Sequence, residues 1–180
     1  MITDSLVAFV PVNSPLSLIG AASATFASNV VDLLGQGVGQ APANIIGTAT
    51  VFGTDLGVGG KRPELNVTIG VQPVVGSSST LKIDFQAAQD LGTPTYQPGT
   101  WRTIVSQDGL AAADLVVGAV PFRVPYLPEF PANFQPRYLR LLFSLSSLGA
   151  FTAGSIGSAL VTMVRDDQSN KFAAKNFTVA

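Results

Sequence analysis

The chain has 180 residues, of which 12% are charged, against about 25% in typical soluble domains, and its formal net charge is −1. It contains no histidine and no cysteine, which excludes imidazole proton transfer, thiolate nucleophiles and the usual zinc or iron–sulfur ligands. Its few basic residues are scattered, so we expect no direct contact with nucleic acid. We predict that the protein is not an enzyme and has no catalytic residues, no cofactor and no metal site.

Residues 1–24 are predicted to be an N-terminal arm. Ser14 followed by Pro15 is a start signal for a short helix running to Ala22. An extended arm of this length can reach a neighbouring subunit. Apolar side chains of the arm would either anchor it on that neighbour or pack on their own domain; the candidates are Leu6, Phe9 and Val10.

Residues 25–166 are predicted to form one β-domain. Apolar residues alternate with polar ones in short runs, and Gly and Pro clusters separate these runs, a pattern typical of an all-β sandwich or barrel. The predicted strands cover residues 25–32, 65–71, 81–85, 100–105, 115–124, 137–145 and 155–165.

Two of these strands are predicted to form a hairpin. Residues 65–71 and 81–85 both alternate, and Gly76-Ser77-Ser78-Ser79 lies between them. A polar Gly/Ser link between two alternating runs is a hairpin signal.

The strand at residues 137–145 is predicted to have one apolar face, made by its odd-numbered residues from Leu139 onwards. Arg137 and Arg140 then lie on opposite faces. An arginine on the core side would need a carboxylate partner, because an unpaired buried charge is costly. The alternative is that both arginines stay solvated at the sheet end.

The segment from Leu141 to Val164 has no charge and is long enough for a transmembrane helix. It contains many hydroxyl side chains, and its Ser146-Ser147-Leu148-Gly149 stretch is typical of a turn between two strands. We predict two strands here and no membrane contact.

Several aromatic residues present two alternatives. They would either form a stacking platform for a sugar or base, or fill the core and pack under a proline-rich loop, which we favour. The residues are Trp101, Phe122, Tyr126, Phe130, Phe134 and Tyr138.

Residues 167–180 are predicted to be a polar C-terminal tail with isolated aromatic residues, Phe172 and Phe177. Such a segment either frays in solution or orders against a neighbour. Phe172 and Phe177 are therefore further candidates for apolar anchors.

From Tyr96 to Arg165 the chain carries an ordered series of short motifs. Trp101-Arg102-Thr103-Ile104-Val105 is followed by Ala112-Ala113-Asp114-Leu115, Gly118-Ala119, Tyr126-Leu127-Pro128, Arg137-Tyr138-Leu139-Arg140-Leu141 and Phe151-Thr152-Ala153-Gly154. Upstream, Ala27-Ser28-Asn29-Val30-Val31-Asp32-Leu33 and Asp55-Leu56-Gly57-Val58-Gly59 fit the same pattern. This series resembles the capsid cement (decoration) proteins of tailed double-stranded DNA phages, of the Bordetella-podophage type. The chain differs by a longer insert between Leu33 and Asp55 and by an extension past Asp166.

The resemblance implies a jelly-roll-like antiparallel β-sandwich, here with extended terminal arms, on the outer surface of a phage capsid in the virion. It implies the major capsid protein as partner, together with other copies of this chain in a homo-oligomer, and it carries no catalytic residues. The alternative function is a carbohydrate- or receptor-binding β-sandwich module of a phage tail or cell surface.

Overall fold

The computed structural model describes residues 2–33, 64–75, 78–91, 97–125, 130 and 133–163. Within these ranges the chain forms ten β-strands and no helix. In chain order the strands are β1 (Ile2–Val10), β2 (Leu16–Ser17), β3 (Thr25–Ala27), β4 (Val31–Asp32), β5 (Glu64–Val75), β6 (Thr80–Ala88), β7 (Arg102–Ala111), β8 (Phe122–Pro125), β9 (Tyr138–Leu145) and β10 (Phe151–Met163).

The strands form two antiparallel sheets packed face to face. The first sheet has the order β1-β10-β5-β8, with β2 also paired to β10. The second sheet has the order β3-β9-β6-β7, with β4 also paired to β9. The prediction of an all-β sandwich is confirmed.

Alternating side chains explain why the two sheets pack together. In β9, Leu139, Leu141 and Phe143 are fully buried, whereas Arg140 and Leu142 between them are half-buried on the opposite face. In β5, Leu65, Val67 and Ile69 are buried in the same way. Each such side chain contributes about 1.5–3 kcal/mol when it leaves water, so burial fixes which face of each sheet turns inward.

The hairpin predicted for β5 and β6 is wrong. The two strands lie in different sheets, so the chain crosses the sandwich between Val75 and Thr80. Packed sheets lie about 10 Å apart, a distance that four extended residues span. An alternating run with a Gly/Ser link has the same local pattern in a hairpin and in a crossing, which is why the sequence did not distinguish them.

A second crossing joins β9 to β10, and side-chain hydroxyls tie the two crossings together. The Ser79 hydroxyl is buried and donates a 2.9 Å hydrogen bond to the Gly149 carbonyl. The Ser146 hydroxyl accepts from the Thr80 N–H at 3.1 Å and lies 3.2 Å from the Ser79 hydroxyl. Repeated crossings between sheets are also how jelly rolls are wound.

The prediction of an N-terminal arm over residues 1–24 needs correction. β1 and β2 pair with β10 and are therefore strands of the first sheet. Phe9 is 1% exposed and packs edge-to-face against Phe85 of the second sheet, with ring centroids 6.0 Å apart. Residues 14–22 contain β2 and turns, not the predicted helix.

Two other predicted strands are shorter than expected. Residues 25–32 form β3 and β4, separated where the Asn29 N–H bonds to the Phe9 carbonyl at 3.0 Å. Residues 115–121 contain turns, and only β8 follows them. These turns still lie along β5, because the Ile69 N–H bonds to the Ala119 carbonyl and the Gly118 N–H bonds to the Ile69 carbonyl.

Candidate interaction faces

Of the residues proposed as apolar anchors, the structure describes the side chains of Phe9 and Val10. Phe9 and Val10 belong to the core of their own domain, which was the alternative to an anchoring role. Leu6 lies in β1, but its side chain is outside the described part of the structure, as are Phe172 and Phe177. Buried residues such as Phe9 and Val10 are not available to another molecule, so an interaction surface has to be sought on the outward faces of the two sheets.

The outward face of the first sheet is made by small, uncharged residues on its two central strands. The register pairs Thr68 with Ser158 and Asn66 with Leu160 across β5 and β10. Among the side chains described for β5, β8 and β10, only Glu64 and Arg123 are charged, and they pair with each other at one end of the sheet. We call this surface the neutral face.

Two glycines bring the central strands of the neutral face together. A Cβ on Gly70 would lie 2.7 Å from the Gly157 Cα, and a Cβ on Gly157 would lie 2.8 Å from the Gly70 Cα. Both distances are far inside normal contact. The pairing shifts register around this point, so the strands bulge where both side chains are missing.

Exposed branched side chains lie on and beside the neutral face. Val71 and Val74 of β5 are 51% and 55% exposed, and Ile19, next to β2, is 58% exposed. The turns that run beside β5 add further exposed valines, namely Val116, Val117 and Val120. Exposed apolar groups gathered on one side of a protein commonly mark an interaction surface.

The outward face of the second sheet is polar, and Lys82 and Asp84 on it form an ion pair within the chain. We call it the charged face. Asp84 is 5% exposed, accepts a 2.6 Å hydrogen bond from the Ser106 hydroxyl and lies 3.2 Å from the Lys82 ammonium. The carboxylate therefore has both a cation and a hydrogen-bond donor beside it, which offsets the cost of taking it out of water.

Arg137 joins three separate parts of the chain beside the second sheet. Its Nε and Nη2 donate 2.9 Å hydrogen bonds to the two carboxylate oxygens of Asp32, and its Nη1 donates to Asp90. The side chain is 17% exposed. These hydrogen bonds raise the pKa of Arg137, since both carboxylates stabilise the charged guanidinium. Arg137 thus has the carboxylate partners that a half-buried arginine requires.

Tyr138, next in sequence, is buried on the outward side of β9. Its hydroxyl has no hydrogen-bond partner among the described residues, and the Arg137 guanidinium lies 5.1 Å from its ring. Burial raises the pKa of Tyr138, because the phenolate would lose its hydration. An unpaired buried hydroxyl costs about 1–3 kcal/mol.

Arg140 has no carboxylate partner among the described residues. Its Nε donates a 2.8 Å hydrogen bond to Gln86 Oε1, and its guanidinium lies over the Trp101 ring, 4.1 Å from the centroid. Burial lowers the pKa of Arg140. The sequence predicted that this residue faces away from the core, but the contact with Trp101 was missed because the two residues are 39 positions apart.

The other aromatic residues follow the prediction that they pack against the protein. Phe122, Phe134 and Tyr138 are buried, and Phe130 packs against the core. Tyr126 lies outside the described residues. The described aromatic side chains therefore form no open stacking platform.

A small cleft of about 120 Å³ lies between the turn after β1 and the link that joins β3 to β4. No ionisable side chain lines it, and its volume is well below the roughly 300–1,000 Å³ of typical ligand pockets. Among the described residues, no three His, Cys, Asp or Glu side chains come together as they would around a metal ion.

The apolar segment from Leu141 to Val164 contains the end of β9, a turn and β10 through Met163. In the part of the chain that the structure covers, no helix has the length and apolarity needed to cross a membrane.

Comparison with known proteins found no protein-family model and no curated protein that matches this chain. The likeness to capsid cement proteins therefore rests on the residue series alone.

Proposed function

We propose that this chain is a structural virion protein: a capsid cement or decoration protein that binds the outside of a phage head and stabilises contacts between major capsid protein subunits. The motif series between Tyr96 and Arg165 supports this proposal. The β-sandwich is also the type of fold that the resemblance implies.

The neutral face carries the proposal. A protein that occupies a seam on a capsid has to cover its own surface without leaving charges unpaired. Val71, Val74 and the surrounding hydroxyl and glycine residues meet this requirement, since covering them dehydrates no charged group. Many symmetric copies would multiply a small free energy per site.

The tail from residue 167 to 180 remains a proposed attachment element and lies outside the described residues. We expect its deletion to lower capsid occupancy without changing the stability of the sandwich. Unchanged occupancy would reject this role. Deletion of residues 1–12 is a poor test of attachment, because it removes β1 from the first sheet and Phe9 from the core.

The alternative, a carbohydrate- or receptor-binding module, has less support. It needs exposed aromatic rings, but the Arg140 guanidinium covers one face of Trp101, and Tyr138 is buried. Glycan binding that disappears on Trp101→Ala substitution would favour this alternative.

The direct test is to add the purified protein to heads of the phage that encodes it, prepared without this protein, and to measure sedimentation with the heads. We expect saturable binding at a fixed number of copies per head and greater resistance of the heads to heat. An absence of binding would contradict the proposed function.

A further inference from the structure

On the charged face, Arg140 is a partly buried cation that has no carboxylate partner among the described residues. Gln86 of β6 is paired on one side with Arg140 of β9 and on the other with Thr103 of β7, so the three side chains lie in one row across the sheet. Gln86 Nε2 donates a 3.2 Å hydrogen bond to the Thr103 hydroxyl, and Gln86 Oε1 accepts from Arg140 Nε.

These contacts hold the guanidinium in one orientation. The Trp101 ring covers one side of its plane, Gln86 occupies Nε, and Gln86 is itself fixed by Thr103 and only 8% exposed. The two terminal nitrogens, Nη1 and Nη2, donate to no side chain or carbonyl of the described residues. The remaining donors therefore form a planar fork whose position is set before any ligand arrives.

Neighbouring carboxylates do not neutralise this arginine. Asp84 is engaged by Lys82 and Ser106, and Asp32 and Asp90 are engaged by Arg137. Burial lowers the pKa of Arg140 for the same reason: the cation has lost water without gaining an opposite charge. This cost to the free protein would be repaid by an anion from outside.

We propose that Arg140, held by Trp101 and Gln86, is a receptor for a single carboxylate that a partner protein supplies as an Asp or Glu side chain. The terminal fork of a guanidinium matches the two oxygens of a carboxylate in a bidentate pair. A phosphate fits less well, because it carries a charge of about −1.5 to −2 at neutral pH and a single guanidinium balances only one unit of it. The site lies on the opposite side of the sandwich from the neutral face and does not depend on the proposed capsid role.

Trp101 is the only tryptophan in the chain, so its fluorescence reports on this site directly. The probe is N-acetyl-aspartate amide, titrated at constant ionic strength, and its matched control is N-acetyl-asparagine amide, which has the same shape without the charge. We expect a saturable change in fluorescence with the aspartate probe and none with the asparagine control.

Substitutions identify the group responsible. Arg140→Lys keeps the charge but loses the fork, and we expect it to weaken binding of the aspartate probe roughly tenfold, as loss of a charged hydrogen bond does. Arg140→Met should abolish the response, whereas Arg123→Met, on the first sheet, should leave it unchanged. Equal responses to the two probes, or a response that survives in Arg140→Met, would overturn the proposal. Tighter binding of inorganic phosphate would overturn its assignment to a carboxylate.

Thermal unfolding provides a second measurement. The aspartate probe should raise the midpoint for the wild-type protein and not for Arg140→Met, because a ligand stabilises only the state that binds it. Without ligand, Arg140→Met and the wild type should have similar midpoints, since the gain from removing a partly desolvated charge is offset by loss of the hydrogen bond to Gln86 and of the contact with Trp101. A clear loss of stability in this variant would instead assign Arg140 a structural role.

Discussion

The two sheets turn the same kind of apolar face inward but present different surfaces to their surroundings. Among the side chains described for the first sheet, the outward ones are glycine, hydroxyl and exposed valine residues, with one charged pair at the end. Outward on the second sheet are Lys82, Asp84 and Arg140, each in contact with other side chains of the chain, and the cluster around Arg137 lies beside that sheet. Burial alone accounts for the inward faces; it does not account for this difference between the outward ones.

Because of this difference, the two outward faces are suited to different kinds of contact with another molecule. Charges that are already paired within the chain gain little from a partner, whereas a surface without charges loses little when it is covered. The neutral face is thus open to broad contact, whereas Lys82 and Asp84 on the charged face already neutralise each other.

The largest expected loss of stability comes from a substitution between the two central strands of the neutral face. Gly157→Ala places a Cβ 2.8 Å from the Gly70 Cα, where only backbone could move to relieve the contact. We expect a loss of about 3 kcal/mol, at the upper end of the range for overpacked sites. Chemical denaturation measures this loss, and Ser158→Ala, the next residue on β10, is the control with an expected effect below about 0.5 kcal/mol. Equal stabilities of Gly157→Ala and the wild type would show that the strands do not approach as closely as described.

The second expected effect measures how much the ion pairs of Arg137 beside the second sheet contribute to stability. Arg137→Met removes a cation that both Asp32 and Asp90 contact, so the two carboxylates lose a shared opposite charge. We expect a loss of about 2 kcal/mol, less than for a fully buried pair because the side chain is 17% exposed. Arg123→Met is the matched control, since this arginine pairs with Glu64 but is 59% exposed, and we expect a loss below about 1 kcal/mol. A larger loss of stability in Arg123→Met than in Arg137→Met would contradict the greater contribution that we assign to the Arg137 ion pairs.

The smallest effect concerns the hydroxyl of Tyr138 and has a defined pH dependence. The ring remains buried in Tyr138→Phe while the unpaired hydroxyl is removed, so we expect a gain of about 1 kcal/mol at neutral pH.

Burial raises the pKa of Tyr138 in the folded protein above its unfolded value of about 10. The unfolded chain then ionises first, so the stability that protonated Tyr138 contributes is complete below pH 10 and is lost as the pH rises through the folded pKa. Denaturation at several pH values should show the wild type losing stability above about pH 10 faster than Tyr138→Phe. If the wild type and Tyr138→Phe lost stability equally as the pH rose, the raised pKa of Tyr138 in the folded protein would be contradicted.

How far the sequence predicted the fold depends on the distance over which each feature is encoded. The faces of β9 followed from a two-residue period, which neighbouring residues carry among themselves. The sheet that each strand joins did not follow, because β5 and β6 have the same alternation whether they pair or cross the sandwich. The N-terminal residues read as an arm because their partner, β10, lies near the other end of the chain.

For the charged residues too, the sequence predicted local features but not contacts between residues far apart in the chain. The sequence predicted that a core-side arginine would need a carboxylate, and Arg137 has two. It did not predict which carboxylates, because Asp32 lies 105 residues away. The orientation of Arg140 was predictable, whereas its contact with Trp101 depends on how β7 and β9 flank β6.

The most direct test of the neutral face as the contact surface compares two valines of nearly equal exposure, one on that face and one in the link between β3 and β4. Val71 of the neutral face is 51% exposed, and Val30, between β3 and β4 of the second sheet, is 48% exposed. In the sedimentation assay with phage heads, Val71→Asp should lower affinity about tenfold or more, because docking would bury an unpaired carboxylate, while Val30→Asp should bind like the wild type. Wild-type binding by Val71→Asp together with loss of binding by Val30→Asp would contradict the assignment of the neutral face as the contact surface.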